Sequence, residues 1–286
     1  MELLLNTIVS GLLVGGLYAA VGVGFGMALG FVGVANLAHP TFVVVGAYGA
    51  LAGWRLGVDP ILAGLLWMPV FYAVGYALHG FYERVFERQG GSSLNGMTFF
   101  FGLMFVLEVL LTMGFGVDFQ MVSTGYGSQV IRWGGIDLPM RLLLPFLIGG
   151  AMILGLTFWM RATFTGQAIA AVAQDATALQ IIGADPQKIR RIAFAIGLAT
   201  AALAGALLLV TVPIQPSSGR EFIGRMFAVV VLGGLTSLRG TLVAALLLGV
   251  AEGMVQTYAG AAWAAAVGFG ILFLALAVRP EGLFRR

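Results

Sequence analysis

Two carboxylates stand inside apolar runs long enough to cross a bilayer. Glu108 lies within residues 94–114 and Glu252 within 240–258. A carboxylate at membrane depth is costly, so it faces a bundle interior or a water-filled cavity. Such a group lines a substrate path, carries a proton, or acts as hydrogen-bonded glue between helices. One carboxylate per helix with no lysine nearby makes a poor relay. A third polar spot is GVANLAHP, residues 33–40, where Asn36, His39 and Pro40 interrupt another apolar run. Broken backbone at membrane depth survives only inside protein or beside water. Asn36 and His39 therefore either satisfy freed backbone groups or meet a solute.

Other chemistry is poorly supplied. The chain holds two histidines, no cysteine and no cluster of His with carboxylates, so neither a metal site nor a disulfide is expected, and no cofactor. There is no HExxH, no GxSxG and no phosphate-binding GxxxxGK[ST] loop. The chain is read as a non-enzyme, and any ATP hydrolysis that drives it belongs to another chain.

The elements that position these residues follow from composition. The 286 residues are 60% hydrophobic and 9% charged, which no soluble domain of this length resembles. A formal charge of +3 is too small and scattered for a nucleic-acid surface. Met1-Glu2 lacks a basic leader and the first apolar run is too long for a signal peptide, so none is expected. Many of the 43 glycines sit inside apolar runs, where small residues let helices approach closely; Gly22, Gly26 and Gly30 form one such row.

The spans read in order. Residues 3–54 contain no Asp, Glu, Lys or Arg and suit two or three crossings. Spans at 61–80, 94–114 and 142–160 follow, separated by a short charged loop at 81–93 and a glycine-rich, nearly neutral loop at 115–141, placed outside. After 192–212 and a turn at 213–219 come a short run at 222–238, then 240–258 and 261–278, and a basic tail placed inside. The expected fold is an all-α polytopic membrane protein, a bundle of about eight to ten transmembrane helices with discontinuous or re-entrant segments. Residues 1–286 form a single domain.

Residues 161–191 are the longest polar interruption. Arg161, Lys188, Arg190 and Arg191 outnumber Asp175 and Asp185, which places the stretch in the cytoplasm. Ile169, Val172, Ala173, Ala176, Leu179 and Ile182 recur at helical spacing and give one apolar face. Gly183 ends that helix in the left-handed conformation, Asp185 caps the next, and Pro186 begins it. The face covers the bilayer or bundle, or docks another subunit.

Four stretches together resemble a known family. LLNTIVSGLLVGGLYAAVGVGFGMALGFVGVANLAHPTFVVVGAY, AIAAVAQDATALQIIGADPQKIRRIAFAIGLATAALAGAL, FAVVVLGGLTSLRGTLVAALLLGVAE and the terminal RPEGLF are similar, in order, to LivH-type permeases of branched-chain amino-acid ABC importers. The resemblance implies a permease in a bacterial inner membrane, paired with a second related permease, two cytoplasmic ATPase subunits and a periplasmic solute-binding protein. Asn36, His39, Glu108 and Glu252, as polar groups in apolar runs, are the candidates for the substrate path, and the resemblance puts Glu108 and Glu252 where the family often carries an acidic residue. It makes Ile169, Val172, Ala176, Leu179, Gly183 and Asp185 the ATPase coupling element. The sequence departs from the family pattern at Pro40 and Thr41, where glycine and an acidic or small residue are common. Relatives of this type also serve urea, amides and aromatic or other carboxylic acids. A stand-alone secondary transporter using Glu108 or Glu252 as proton carrier is the alternative.

The chain's lack of cysteine makes its topology directly testable. With single cysteines at Gln187 or Gly125 in intact cells, an impermeant thiol reagent is expected to label Gly125→Cys and spare Gln187→Cys. The opposite pattern overturns the assignment.

Overall fold

The computed structural model describes residues 1–87, 93–133 and 135–278. Eleven helices occupy these residues: α1 (Glu2–Gly26), α2 (His39–Arg55), α3 (Pro60–Tyr82), α4 (Ser93–Phe115), α5 (Met140–Ala162), α6 (Phe164–Val172), α7 (Ala176–Ile181), α8 (Pro186–Thr211), α9 (Gly219–Gly233), α10 (Leu238–Tyr258) and α11 (Ala261–Val278). π-helical turns extend α1 over Met27–Val32 and α3 over Glu83–Glu87.

α8 is the axis of the bundle. Its most apolar window is 89% buried, against 17–22% for α3, α4 and α5, whose leucines and phenylalanines point outward as lipid-facing side chains do. α1 packs along both α8 and α10. Small residues permit this closeness, because lipid tails supply no hydrophobic drive between helices and packing must replace it. A Cβ at Gly24 would overlap the Gly197 carbonyl oxygen, and one at Gly205 the Val43 carbonyl oxygen.

Among the described residues six helices are long and apolar enough to cross a membrane, so the eight to ten expected are not all found there. The difference lies in the short elements. Residues 3–54 form one long rod, a break and the 17-residue α2, whose inner face is buried. The run at 222–238 yields only the 15-residue α9. That is about 22 Å of helix, short of a hydrocarbon core about 30 Å thick. The basic tail lies outside the described residues.

Two helix breaks meet. Gly33, at φ 80°, ends the π-helical turn after α1, and Gly234, at φ 87°, ends α9. Positive φ at both points favours glycine. Gly30, just before the first break, lies against the Leu235 carbonyl of the second. Of the glycine row read from the sequence, Gly30 is the member that tolerates no side chain, since Gly22 and Gly26 have ordinary or nearly ordinary room.

The loop expected at 115–141 is partly ordered as an antiparallel hairpin, β1 (Val130–Trp133) and β2 (Ile136–Pro139), in register Val130↔Pro139. It sits over the start of α1: Asn6 donates from Nδ2 to the Gly135 carbonyl and accepts from the Asp137 amide. Tyr126 donates to Asp59 at 3.0 Å, and burial together with that bond pushes its phenol up to about 12.

Gly30→Ala is expected to destabilise the purified protein by about 1–3 kcal/mol through overpacking, while Gly150→Ala, with open space around it, is neutral. Melting in detergent followed by size exclusion distinguishes them. Equal melting points would mean that the two breaks do not press on one another.

Candidate functional site

Both intramembrane carboxylates are held by arginines of α9. Arg220, in the first turn, grips Glu108 of α4 with two nitrogens, Nε to Oε2 at 2.8 Å and Nη2 to Oε1, beneath the Phe105 ring. Arg225, on the next turn, donates from Nε to both oxygens of Glu252 on α10, at 3.0 and 3.2 Å. Tyr18 of α1 donates its hydroxyl to Glu252 Oε2 at 2.5 Å. The Arg225 guanidinium also lies 5.7 Å from the Tyr18 ring centroid and 5.6 Å from that of Phe222. The two pairs differ in setting. The Glu252 and Arg225 side chains are 6% and 21% exposed, whereas Arg220 is 49% exposed.

Sequence reasoning misses these arginines because it treats arginine as a topology marker. The signal is nonetheless present: Arg225 sits inside the run at 222–238, and a cation within an apolar helix requires a partner.

Glu252 and Tyr18 border a cleft of about 260 Å³ between α1 and α10, whose walls include Asn6, Thr7, Ser10 and Gln256. The two helices run antiparallel, with Thr7 and Thr257 hydroxyls 3.4 Å apart near the cleft's outer end. From Asn6 to Tyr18 is about 18 Å along the helix. The cleft thus runs from the hairpin side of the bundle toward its middle, between polar side chains, glycines and Val14. Gly11, Gly249 and Gly253 form its floor, where α1 and α10 come closest.

Asn36 and His39 lie elsewhere, in the first helix break. Asn36 is fully buried and its Oδ1 accepts from the Ala38 amide at 3.1 Å, which closes the turn that leads into α2. His39, the first residue of α2, is 1% exposed and packs beside Gly24. Asn36 Nδ2 and His39 Nε2 have no hydrogen-bond partner among the described residues. The structure does not bring this pair to Glu252 or Glu108. His79 of α3 is also buried, 5.2 Å from the Phe194 ring. No cluster of three metal-ligating side chains occurs among the described residues.

The polar stretch at 161–191 departs from the single helix expected to carry Ile169 through Ile182 and end at Gly183. Asp175 accepts from the Thr177 and Ala178 amides at 2.8 and 3.0 Å and caps a new helix, dividing α6 from α7. Gly183 is left-handed, at φ 87°, and Asp185 caps α8 through the Gln187 and Lys188 amides, as its sequence pattern indicates. Ile169, Val172 and Leu179 are at most 6% exposed against this chain's own bundle, and Ala176 is half-buried. The outward residues are instead Phe164, Ile181 and Ile182, 93%, 82% and 78% exposed. The break at Asp175 rotates α7, so Ile182 does not share the face of Ile169. Arg191, beyond the corner, donates to Glu83 at 2.7 Å and ties α8 to the end of α3.

Residues 7–276 match the family described as branched-chain amino acid transport system / permease component. The chain is 29% identical over 298 residues to the high-affinity branched-chain amino acid transport system permease protein BraD of Pseudomonas aeruginosa, covering 99% of this chain and 96% of that protein. It is 27% identical over 302 residues to the corresponding permease LivH of Escherichia coli, with the same coverage. Among solved structures, PsaBC from Streptococcus pneumoniae in complex with Fab aligns over 96% of this chain and 91% of that one, at TM-score 0.48 and 12% identity.

Arg225→Gln removes the cation from a nearly buried carboxylate and is expected to cost about 3–5 kcal/mol. The double variant Arg225→Gln with Glu252→Gln is expected to recover most of that loss. Detergent melting of the three proteins checks it, and additive losses would mean the two side chains do not act as a pair.

Proposed function

The chain belongs to the permease-component family of branched-chain amino acid transport systems, and from that premise we propose that it is a membrane permease subunit of an ATP-binding-cassette importer for branched-chain amino acids. The family match across residues 7–276 carries this reading. The proposed setting is a bacterial inner membrane, and the proposed assembly has a second related permease, two cytoplasmic ATPase subunits and a periplasmic binding protein. The chain itself is a transport subunit and catalyses no reaction.

The proposed route follows the polar cleft between α1 and α10, with Glu252 at its inner end. Glu108 acts through Arg220 to hold α4 against α9 beside the route, and Asn36 and His39 support the helix break near α8. Arginine pairing speaks against the secondary-transporter alternative. A proton carrier at Glu108 or Glu252 would have to leave its guanidinium in every cycle.

Coupling is proposed to use the outward side of the 161–191 stretch. Phe164, Ile181 and Ile182 meet the ATPase. Ile169, Val172, Ala176 and Leu179 fix α6 and α7 to the bundle, while Gly183 and Asp185 set the corner. The outward set receives force from the ATPase, and the inward set passes it to the bundle.

Burying two isoleucines contributes about 1.5–3 kcal/mol each, so Ile181→Asp with Ile182→Asp is expected to lower binding-protein-stimulated ATP hydrolysis at least about tenfold. Membrane abundance of the subunit stays near normal, because both side chains already face water. Gly183→Val is expected to act in the same direction, since a side chain at φ 87° costs roughly 1 kcal/mol or more. Stimulated hydrolysis that survives all three substitutions rules out this stretch as the coupling element.

A further inference from the structure

The cleft between α1 and α10 has one formal charge in its lining among the described residues, and that charge is negative. Asn6, Thr7, Ser10, Gln256 and Thr257 supply neutral donors and acceptors, and Glu252 supplies the carboxylate. Arg225 reaches the same carboxylate but is not part of the cleft wall. The carboxylate is also incompletely used. Its contacts are one Arg225 nitrogen shared between both oxygens and one Tyr18 hydroxyl on Oε2. A carboxylate has about four acceptor positions, so among the described residues one is left without a donor.

A purely structural ion pair would need none of this surrounding space. Glu252 is fixed in position by two groups, yet it borders a cavity of about 260 Å³ with polar side walls and a glycine floor. Val14 gives the cleft one apolar wall. A small solute with a cationic end and an apolar body matches these surfaces. A solute with a carboxylate and no amine meets no cation in the lining, because the Arg225 guanidinium lies behind Glu252 and is neutralised by it.

We propose that the α1–α10 cleft is an ammonium-selective subsite, in which Glu252 receives the protonated amine of an amino acid and disfavours anionic solutes that lack one. Arg225 and Tyr18 are positioning residues: they hold the carboxylate at the cleft wall and leave acceptor capacity on Oε1. The inference rests on the proposed transport function and specifies the solute chemistry of that route.

The test uses the absence of native cysteine. Gln256→Cys places one thiol on the exposed wall of the cleft. In vesicles holding the assembled complex, its labelling rates with a trimethylammonium thiosulfonate and a sulfonate thiosulfonate are compared, each normalised to a free thiol. The cationic reagent is expected to be favoured about tenfold, and Glu252→Gln, which leaves the Arg225 charge uncompensated behind the wall, to abolish or reverse that preference. Equal normalised rates with Glu252 intact overturn the proposal. A second arm exchanges the charges, Glu252→Arg with Arg225→Glu, which keeps a pair but removes the acceptor from the cleft. Leucine uptake is expected to stay reduced more than about tenfold. Restored uptake would make the carboxylate merely structural and would equally overturn the proposal. Should the exchanged protein fail to fold, the labelling ratio decides alone. Failure of the transport reading is a separate outcome: the unsubstituted complex would then show no binding-protein-dependent leucine uptake, whatever the labelling ratio.

Discussion

A charge at membrane depth must find an opposite charge or water, and α9 meets that constraint for both intramembrane carboxylates. Arg220 and Arg225 lie five residues apart on a helix too short to cross, and they face two different partners, Glu108 on α4 and Glu252 on α10. Neither pair is a strong source of net stability, because desolvating two ions offsets much of their attraction. Their effect is on specificity of arrangement. With one member present and the other displaced, the remaining charge is stranded, so α9 has one well-defined seat between α4 and α10.

The same economy of space governs the backbone. Gly24 against Gly197, Gly205 against Val43 and Gly30 against Leu235 are contacts in which one helix touches another's carbonyl. Such approaches replace the hydrophobic drive that lipid cannot supply. They also keep the broken segments at 33–38 and 234–237 within protein, where unpaired backbone groups are tolerated. The small residues and the helix breaks are therefore one feature: irregular backbone needs close neighbours, and close neighbours need glycine.

Much of this is legible from residue order. Long uncharged runs announce the spans, GVANLAHP announces a break, and Gly183-Ala184-Asp185-Pro186 announces a corner with its cap. The rest depends on things a one-dimensional pattern does not carry. Helical spacing shows that Ile169, Val172 and Leu179 share a face but not what that face covers, and it covers this chain's own bundle. Asp175 counts as a charge in the sequence, yet its side chain caps α7, and that cap divides the stretch in two. Arg220 and Arg225 count toward topology although their partners lie 112 and 27 residues away. In each case a polar side chain has a local or long-range bond that outweighs the property used to read it.

The placement of α9 links the charged site to the helix breaks mechanically. Its first turns hold Arg220 and Arg225, and its last residue, Gly233, precedes the left-handed Gly234 and the Leu235 carbonyl that presses on Gly30. A solute that drew on Glu252, as proposed, would perturb the bond that seats α9, and a shift of α9 would move Leu235 against the break after α1. α1 in turn carries Tyr18 on one side of the break and joins the irregular segment of Asn36 on the other. The chain thus closes a loop of contacts, Glu252 to Arg225 to α9 to Gly30 to α1 to Tyr18 and back to Glu252. None of its members is free to move alone, because the glycine contacts leave no slack and the ion pair tolerates no half-open state at low dielectric. Change within it is therefore expected as a switch between two seated arrangements, which is the behaviour alternating access requires of a route through a membrane.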